Sequence, residues 1–70
     1  MAPEQFKAWR AHMKLSQAKA ADALGISKGS IEHYEAGKTR DGRPAPVPKT
    51  VALACAALAL GITSYEGPTA

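Results

Sequence analysis

The stretch Gln17-Ala18-Lys19-Ala20-Ala21-Asp22-Ala23-Leu24-Gly25-Ile26-Ser27-Lys28-Gly29-Ser30-Ile31-Glu32-His33-Tyr34 decides how this chain folds. Ser16 is placed to cap a helix that begins at Gln17, and Ala20, Ala21 and Leu24 share one of its faces. Gly25 ends that helix, Ser27 caps the next, and Ile31 and Tyr34 mark the inner side of a helix over about 28–36 that Gly37 terminates. Two short helices that cross steeply after a tight turn impose size limits at fixed places. A small residue is needed where the helices cross, and Ala21 is there. Four residues later the chain must accept a positive φ, which Gly25 does without steric cost. Six further on, Ile31 supplies the aliphatic plug, with Leu24 and Ile26 flanking the turn as core. Lys28, Gly29, Ser30 and His33 are left on the outward face.

Working outward, Pro3 suits a first helical turn, Glu4 favours the positive end of the helix dipole, and Phe6, Trp9 and Met13 recur at helical spacing. This predicts a helix over about 3–13, with Phe6 and Trp9 as core and not as base-stacking groups. Gly37 to Pro48 holds two glycines and three prolines and reads as an ordered surface loop. Pro48 opens a fourth helix over about 48–60 that Gly61 stops, and residues 62–70 form a loosely held tail. The expected architecture is all-α, a compact domain of four to five helices over residues 1–61 with the two-helix unit at about 17–36.

Charge is distributed unevenly. Residues 1–36 carry +1, residues 50–70 carry −1, and the segment 37–49 carries +3 from Lys38, Arg40, Arg43 and Lys49 against Asp41. A basic loop directly after an exposed helix favours contact with phosphate over an ordinary solvated surface. The single cysteine, Cys55, excludes an internal disulfide, and no Cys/His cluster has zinc-site spacing. Cys55 reads as a small buried apolar residue. No nucleophile, base and orienting group can be assembled, so neither an enzyme nor a cofactor is expected. The apolar run Val51 to Leu60 is shorter than the roughly 18 residues needed to span a bilayer, which predicts a cytoplasmic protein without membrane association.

The residues Leu15-Ser16-Gln17, Ala21, Leu24-Gly25-Ile26-Ser27, Ile31 and Tyr34-Glu35-Ala36-Gly37-Lys38 resemble the Cro/C1-type helix-turn-helix regulators of phages and bacteria, also called the xenobiotic-response-element type. The resemblance spans about residues 5–40. It implies that the third helix enters the major groove of double-stranded DNA, with Lys28, Gly29 and His33 facing bases. Gln17 then anchors on phosphate and braces the reading residues. Ser27 and Ser30 at the helix start, Tyr34 through its hydroxyl, and Lys38, Thr39, Arg40 and Arg43 in the loop complete the expected DNA contacts. Arg10 and Glu35 match positions that pair in lambdoid repressors and tie the first helix to the third. This chain departs from its relatives in carrying Lys28 and Gly29 where many have glutamines. Its loop is longer and richer in proline, and a fifth helix is reduced to the tail.

The fourth helix is apolar at every position from Val51 to Leu60. Val51, Ala54, Cys55 and Leu58 form one face, while Leu53, Ala57 and Leu60 form another that the first three helices cannot cover. That second face predicts a homodimer presenting two recognition helices to successive major grooves of a near-palindromic operator. The expected function is a transcriptional regulator, a repressor acting by occupancy. The rival reading is an antitoxin-like or adaptor module whose fold grips a partner protein.

Overall fold

The computed structural model describes residues 1–68; Thr69 and Ala70, the end of the expected tail, lie outside the described residues. Four helices follow one another: α1 (Pro3–His12), α2 (Gln17–Leu24), α3 (Lys28–Ala36) and α4 (Lys49–Ala59). No strand occurs among the described residues; one isolated antiparallel bridge joins Lys38 to Pro44. The all-helical architecture therefore has four helices, and no fifth follows Gly61 among the described residues.

Local chemistry accounts for most boundaries. Pro3 occupies the first turn of α1, and the Ala2 backbone N–H donates to Gln5 Oε1 at 2.7 Å. Ser16 Oγ accepts from the Lys19 N–H at 3.1 Å, and Ser27 Oγ accepts from the Ser30 N–H at 3.1 Å, so α2 and α3 each begin on a serine cap. Gly25 adopts φ +70° and Gly37 φ +76°, the left-handed conformation that ends a helix. Gly37 is needed twice over, because a Cβ there would sit 3.2 Å from Pro3 Cγ, where the start of α1 meets the end of α3.

Three boundaries fall one residue inside the expected spans: α1 ends at His12, and α4 runs from Lys49 to Ala59. Pro48 is the N-cap of α4 and Lys49 its first helical residue. Pro48 is in the extended conformation at ψ 152°, so helical backbone begins one residue later. The first helix closes through Lys14, which takes φ 58° and lets the Leu15 N–H reach the Arg10 carbonyl at 3.1 Å.

The core contains Phe6, Trp9, Ala20, Ala21, Ile31, Val47, Val51 and Cys55, with Met13, Leu15, Leu24, Ile26, Tyr34 and Leu58 packed around it. Phe6 and Ile31 are fully buried, and each contributes about 1.5 to 3 kcal/mol of transfer free energy. The Phe6 ring lies 5.7 Å from both the Trp9 and Tyr34 rings, meeting Tyr34 edge-on at 76°. Trp9 Nε1 donates to the Cys55 carbonyl at 3.0 Å and ties α1 to α4. Val47 corrects the reading of 37–48 as purely surface, since it is buried and pins the end of the loop to the core. No helix of the described residues is long and apolar enough to cross a membrane.

On α4, Val51 and Cys55 are buried and Ala54 and Leu58 half-buried. Leu53 remains 60% exposed and Leu60 79% exposed. Ala57 is half-buried because the chain turns back over it: the Ile62 N–H donates to the Ala57 carbonyl at 2.9 Å. With Ala23, Ala54 and Leu58 it lines a shallow groove edged by Ile62 and Tyr65.

Candidate nucleic-acid interface

The turn at Gly25 sets α3 across α2 with Ile31 as the buried plug, which turns the opposite side of α3 outward. Lys28 and Glu32 are exposed there, and Gly29, Ser30 and His33 are half-buried. The Ser30 hydroxyl lies 3.0 Å from Ser27 Oγ, so these two side chains form one polar cluster at the start of α3. Gly29 has helical backbone, and the nearest atom to a Cβ built on it is Ser27 Oγ at 3.8 Å. Neither backbone conformation nor packing within the chain requires a glycine at this place.

Residues after Gly37 form a small closed turn. The Thr39 N–H donates to the Arg43 carbonyl at 2.8 Å, the Gly42 N–H to the Thr39 carbonyl at 3.0 Å, and the Ala45 N–H to the Gly37 carbonyl at 3.1 Å. Thr39 Oγ1 donates to Asp41 Oδ1, and Arg43 Nε lies 3.2 Å from Asp41 Oδ2. The turn stands beside α3, and an open groove of about 430 Å³ between them is lined by Gly29, Glu32, His33, Thr39, Arg40 and Asp41. A second groove adjoins it with Ala36 and Lys38 on its walls. His33, Thr39 and Arg40 thus share one concave surface, whereas Arg43 is held at its side by Asp41. In composition Asp41 registers only as a charge, although Asp-Gly at 41–42 is a turn signal.

A polar lock fixes the orientation of α3. Glu35, with a side chain 7% exposed, accepts from Arg10 Nε at 2.5 Å, Arg10 Nη2 at 3.0 Å and Gln17 Nε2 at 3.3 Å. Arg10 Nη1 also donates to the Leu15 carbonyl at 3.0 Å. One carboxylate therefore gathers α1, α2 and α3. The Arg10 hydrogen bonds hold the Glu35 carboxyl below its usual range against the opposing effect of burial, and Glu35 in turn raises the Arg10 guanidinium. Gln17 spends one amide hydrogen on Glu35, which leaves the other, with the Gln17 backbone N–H at the start of α2, for a contact outside the chain.

Tyr34 turns its ring into the core against Phe6, and its hydroxyl has no hydrogen-bond partner among the described residues. Leu53 and Ala57 lie on α4 and Leu60 is the residue that caps its end; all three line neither groove beside α3. No group of three or more His, Cys, Asp or Glu side chains suited to a metal ion occurs among the described residues.

Searches against curated proteins and solved structures find no match. A scan against protein families matches the helix-turn-helix domain over residues 4–63, an interval that takes in all four helices except Pro3 at the start of α1, the Glu35 lock and the turn beside α3. On that match and this geometry, the chain belongs to the helix-turn-helix domain family of DNA-binding regulators.

Proposed function

We propose that this protein is a sequence-specific regulator of transcription that docks α3 in the major groove of duplex DNA. The observation that carries the reading is the outward face of α3 itself. Lys28 is exposed and Gly29 and His33 are half-buried on that face, flanked by a cation-bearing turn and held in place from behind by Glu35. Lys28 and His33 supply hydrogen-bonding groups for base edges. Ser27, Ser30, Gln17, Tyr34, Lys38, Thr39, Arg40 and Arg43 supply contacts to the sugar-phosphate backbone, which set position without reading sequence. Occupancy of a promoter then blocks transcription, which makes the protein a repressor of the Cro/C1 type working in a bacterial cytoplasm.

The apolar side chains of Leu53 and Leu60, more than half exposed, favour a homodimer through α4, with Ala57 permitting close approach. Two copies related by a two-fold axis suit a near-palindromic operator with half-sites about 34 Å apart. The exposed apolar side chains of Leu53 and Leu60, together with those of Ile62 and Tyr65, also favour the rival reading of an antitoxin-like module gripping another protein. Gel-shift assays on DNA from the protein's own genomic neighbourhood, run with light scattering of the free protein, decide between them. Preference for one site over scrambled DNA by a dimer supports the regulator. A monomer with no preference at low salt contradicts it.

A further inference from the structure

We infer that Asp41 is a positioning residue for DNA contact: it closes the turn after α3 and holds Arg43 by one nitrogen, leaving the terminal guanidinium nitrogens for a phosphate. This rests on the DNA-binding reading above.

Asp41 uses both carboxylate oxygens inside the turn. Oδ1 accepts from Thr39 Oγ1, and Oδ2 lies 3.2 Å from Arg43 Nε. Thr39 Oγ1 in turn accepts from the Arg43 N–H at 3.2 Å, so Thr39, Asp41 and Arg43 form a closed ring of contacts. Gly42 at φ +85° allows the chain to reverse between them. The bridge between Lys38 and Pro44 and the bond from the Ala45 N–H to the Gly37 carbonyl fasten the base of the turn to the end of α3. Whatever the turn presents therefore keeps its register with the reading helix.

The Arg43 and Asp41 side chains are 82% and 63% exposed, and an ion pair so open to water adds little to folding stability. A carboxylate beside a DNA-facing groove also repels phosphate, so a purely solvated Asp41 would only weaken binding. Its geometry gives it the opposite effect. Pairing through Nε leaves Nη1 and Nη2 as a planar pair of donors, the edge that grips phosphate in a bidentate manner. Holding that edge before DNA arrives reduces the side-chain freedom lost on binding.

The two effects have opposite signs, which makes the test direct. Fluorescence anisotropy on a random-sequence duplex over a range of salt concentrations is measured for wild type, Asp41→Ala, Asp41→Asn, Arg43→Ala and the Asp41→Ala/Arg43→Ala double variant. Thermal melting of each variant checks that the fold is intact. Both Asp41 variants are expected to bind about three- to tenfold more weakly, although each makes the protein more positive. The double variant should bind no more weakly than Arg43→Ala alone, and the salt slope of Asp41→Ala should shrink toward that of Arg43→Ala. Tighter binding by either Asp41 variant, or losses that add in the double variant, would overturn the inference while leaving DNA binding intact. A wild type that binds no duplex at low salt would remove the DNA reading itself, and the inference with it.

Discussion

Arg10 and Glu35 stand 25 residues apart in sequence, yet two guanidinium nitrogens of the first meet both carboxylate oxygens of the second, at 2.5 and 3.0 Å. The pair is largely shielded, with Glu35 the deeper partner, and Gln17 completes it from α2. Removing either member leaves a largely shielded charge without its partner. Arg10→Met or Glu35→Gln alone should therefore cost about 1 to 3 kcal/mol, and the double variant less than the sum of the two. Urea unfolding of the four proteins measures this; strictly additive losses would reject the coupling.

The same pair sets a response to acid. The Glu35 carboxyl titrates below its ordinary value of 4.5 in the folded chain. Its stabilising contribution is accordingly complete above that ordinary value and is lost as the pH falls through the lowered folded one. Wild type should lose more stability than Glu35→Gln as the pH drops from neutrality into that range. Parallel acid profiles for the two proteins would contradict the assignment.

Cys55 is 1% exposed, and burial raises its thiol above the ordinary 9.0. A thiol that is both shielded and protonated reacts slowly, so a disulfide reagent at mildly alkaline pH should label native protein far more slowly than protein in urea. Because the folded pKa is raised, the neutral thiol leaves stability intact below about 9, and stability declines as the pH climbs toward the folded value. Labelling at the unfolded rate under native conditions would place Cys55 outside the core.

Lys14 and Gly25 both sit at positive φ, at 58° and 70°, but only one is a glycine. Lys14→Gly should stabilise the chain by about 0.5 kcal/mol by relieving the Cβ crowding, and Gly25→Ala should destabilise it by about 1 kcal/mol. Thermal melting checks both. The reverse order would show that the turns, and not the residues, absorb the strain.

Gly29 presents a separate case, since nothing inside the chain needs it. In a helix an alanine is better than glycine, so Gly29→Ala should raise stability by about 0.5 kcal/mol. If α3 lies against base edges, the added methyl should push the helix away and weaken operator binding about tenfold, a loss on the scale of one base contact. Equal or tighter binding by Gly29→Ala would place DNA elsewhere.

The helical framework was legible because its signals are local. Ser16 and Ser27 cap, Gly25 and Gly37 stop, and Ile31 with Phe6 marks the buried side. What escaped reading depends on contacts distant in sequence, or on backbone that its residue types do not announce. Lys14 closes α1 without a glycine to signal it. Val47 is buried inside a segment whose prolines and charges advertise solvent. The indole of Trp9 finds its acceptor on the Cys55 backbone, where side-chain identity gives no clue. The ring of Thr39, Asp41 and Arg43 is local, yet composition registers only its charges. Nothing in spacing links Arg10 to Glu35, and only the resemblance to a known family pointed to that pair.

In the proposed binding mode the outward face of α3 reads DNA sequence while the turn beside it only positions. Selection of bound sites from a random duplex pool, carried out in parallel with wild type, Lys28→Ala, His33→Ala and Arg43→Ala, separates the two roles. Each helix variant is expected to relax preference at particular base pairs, at about 1 to 3 kcal/mol apiece, while Arg43→Ala recovers the wild-type motif with uniformly weaker binding. Selection of one unchanged motif by all four proteins would contradict it.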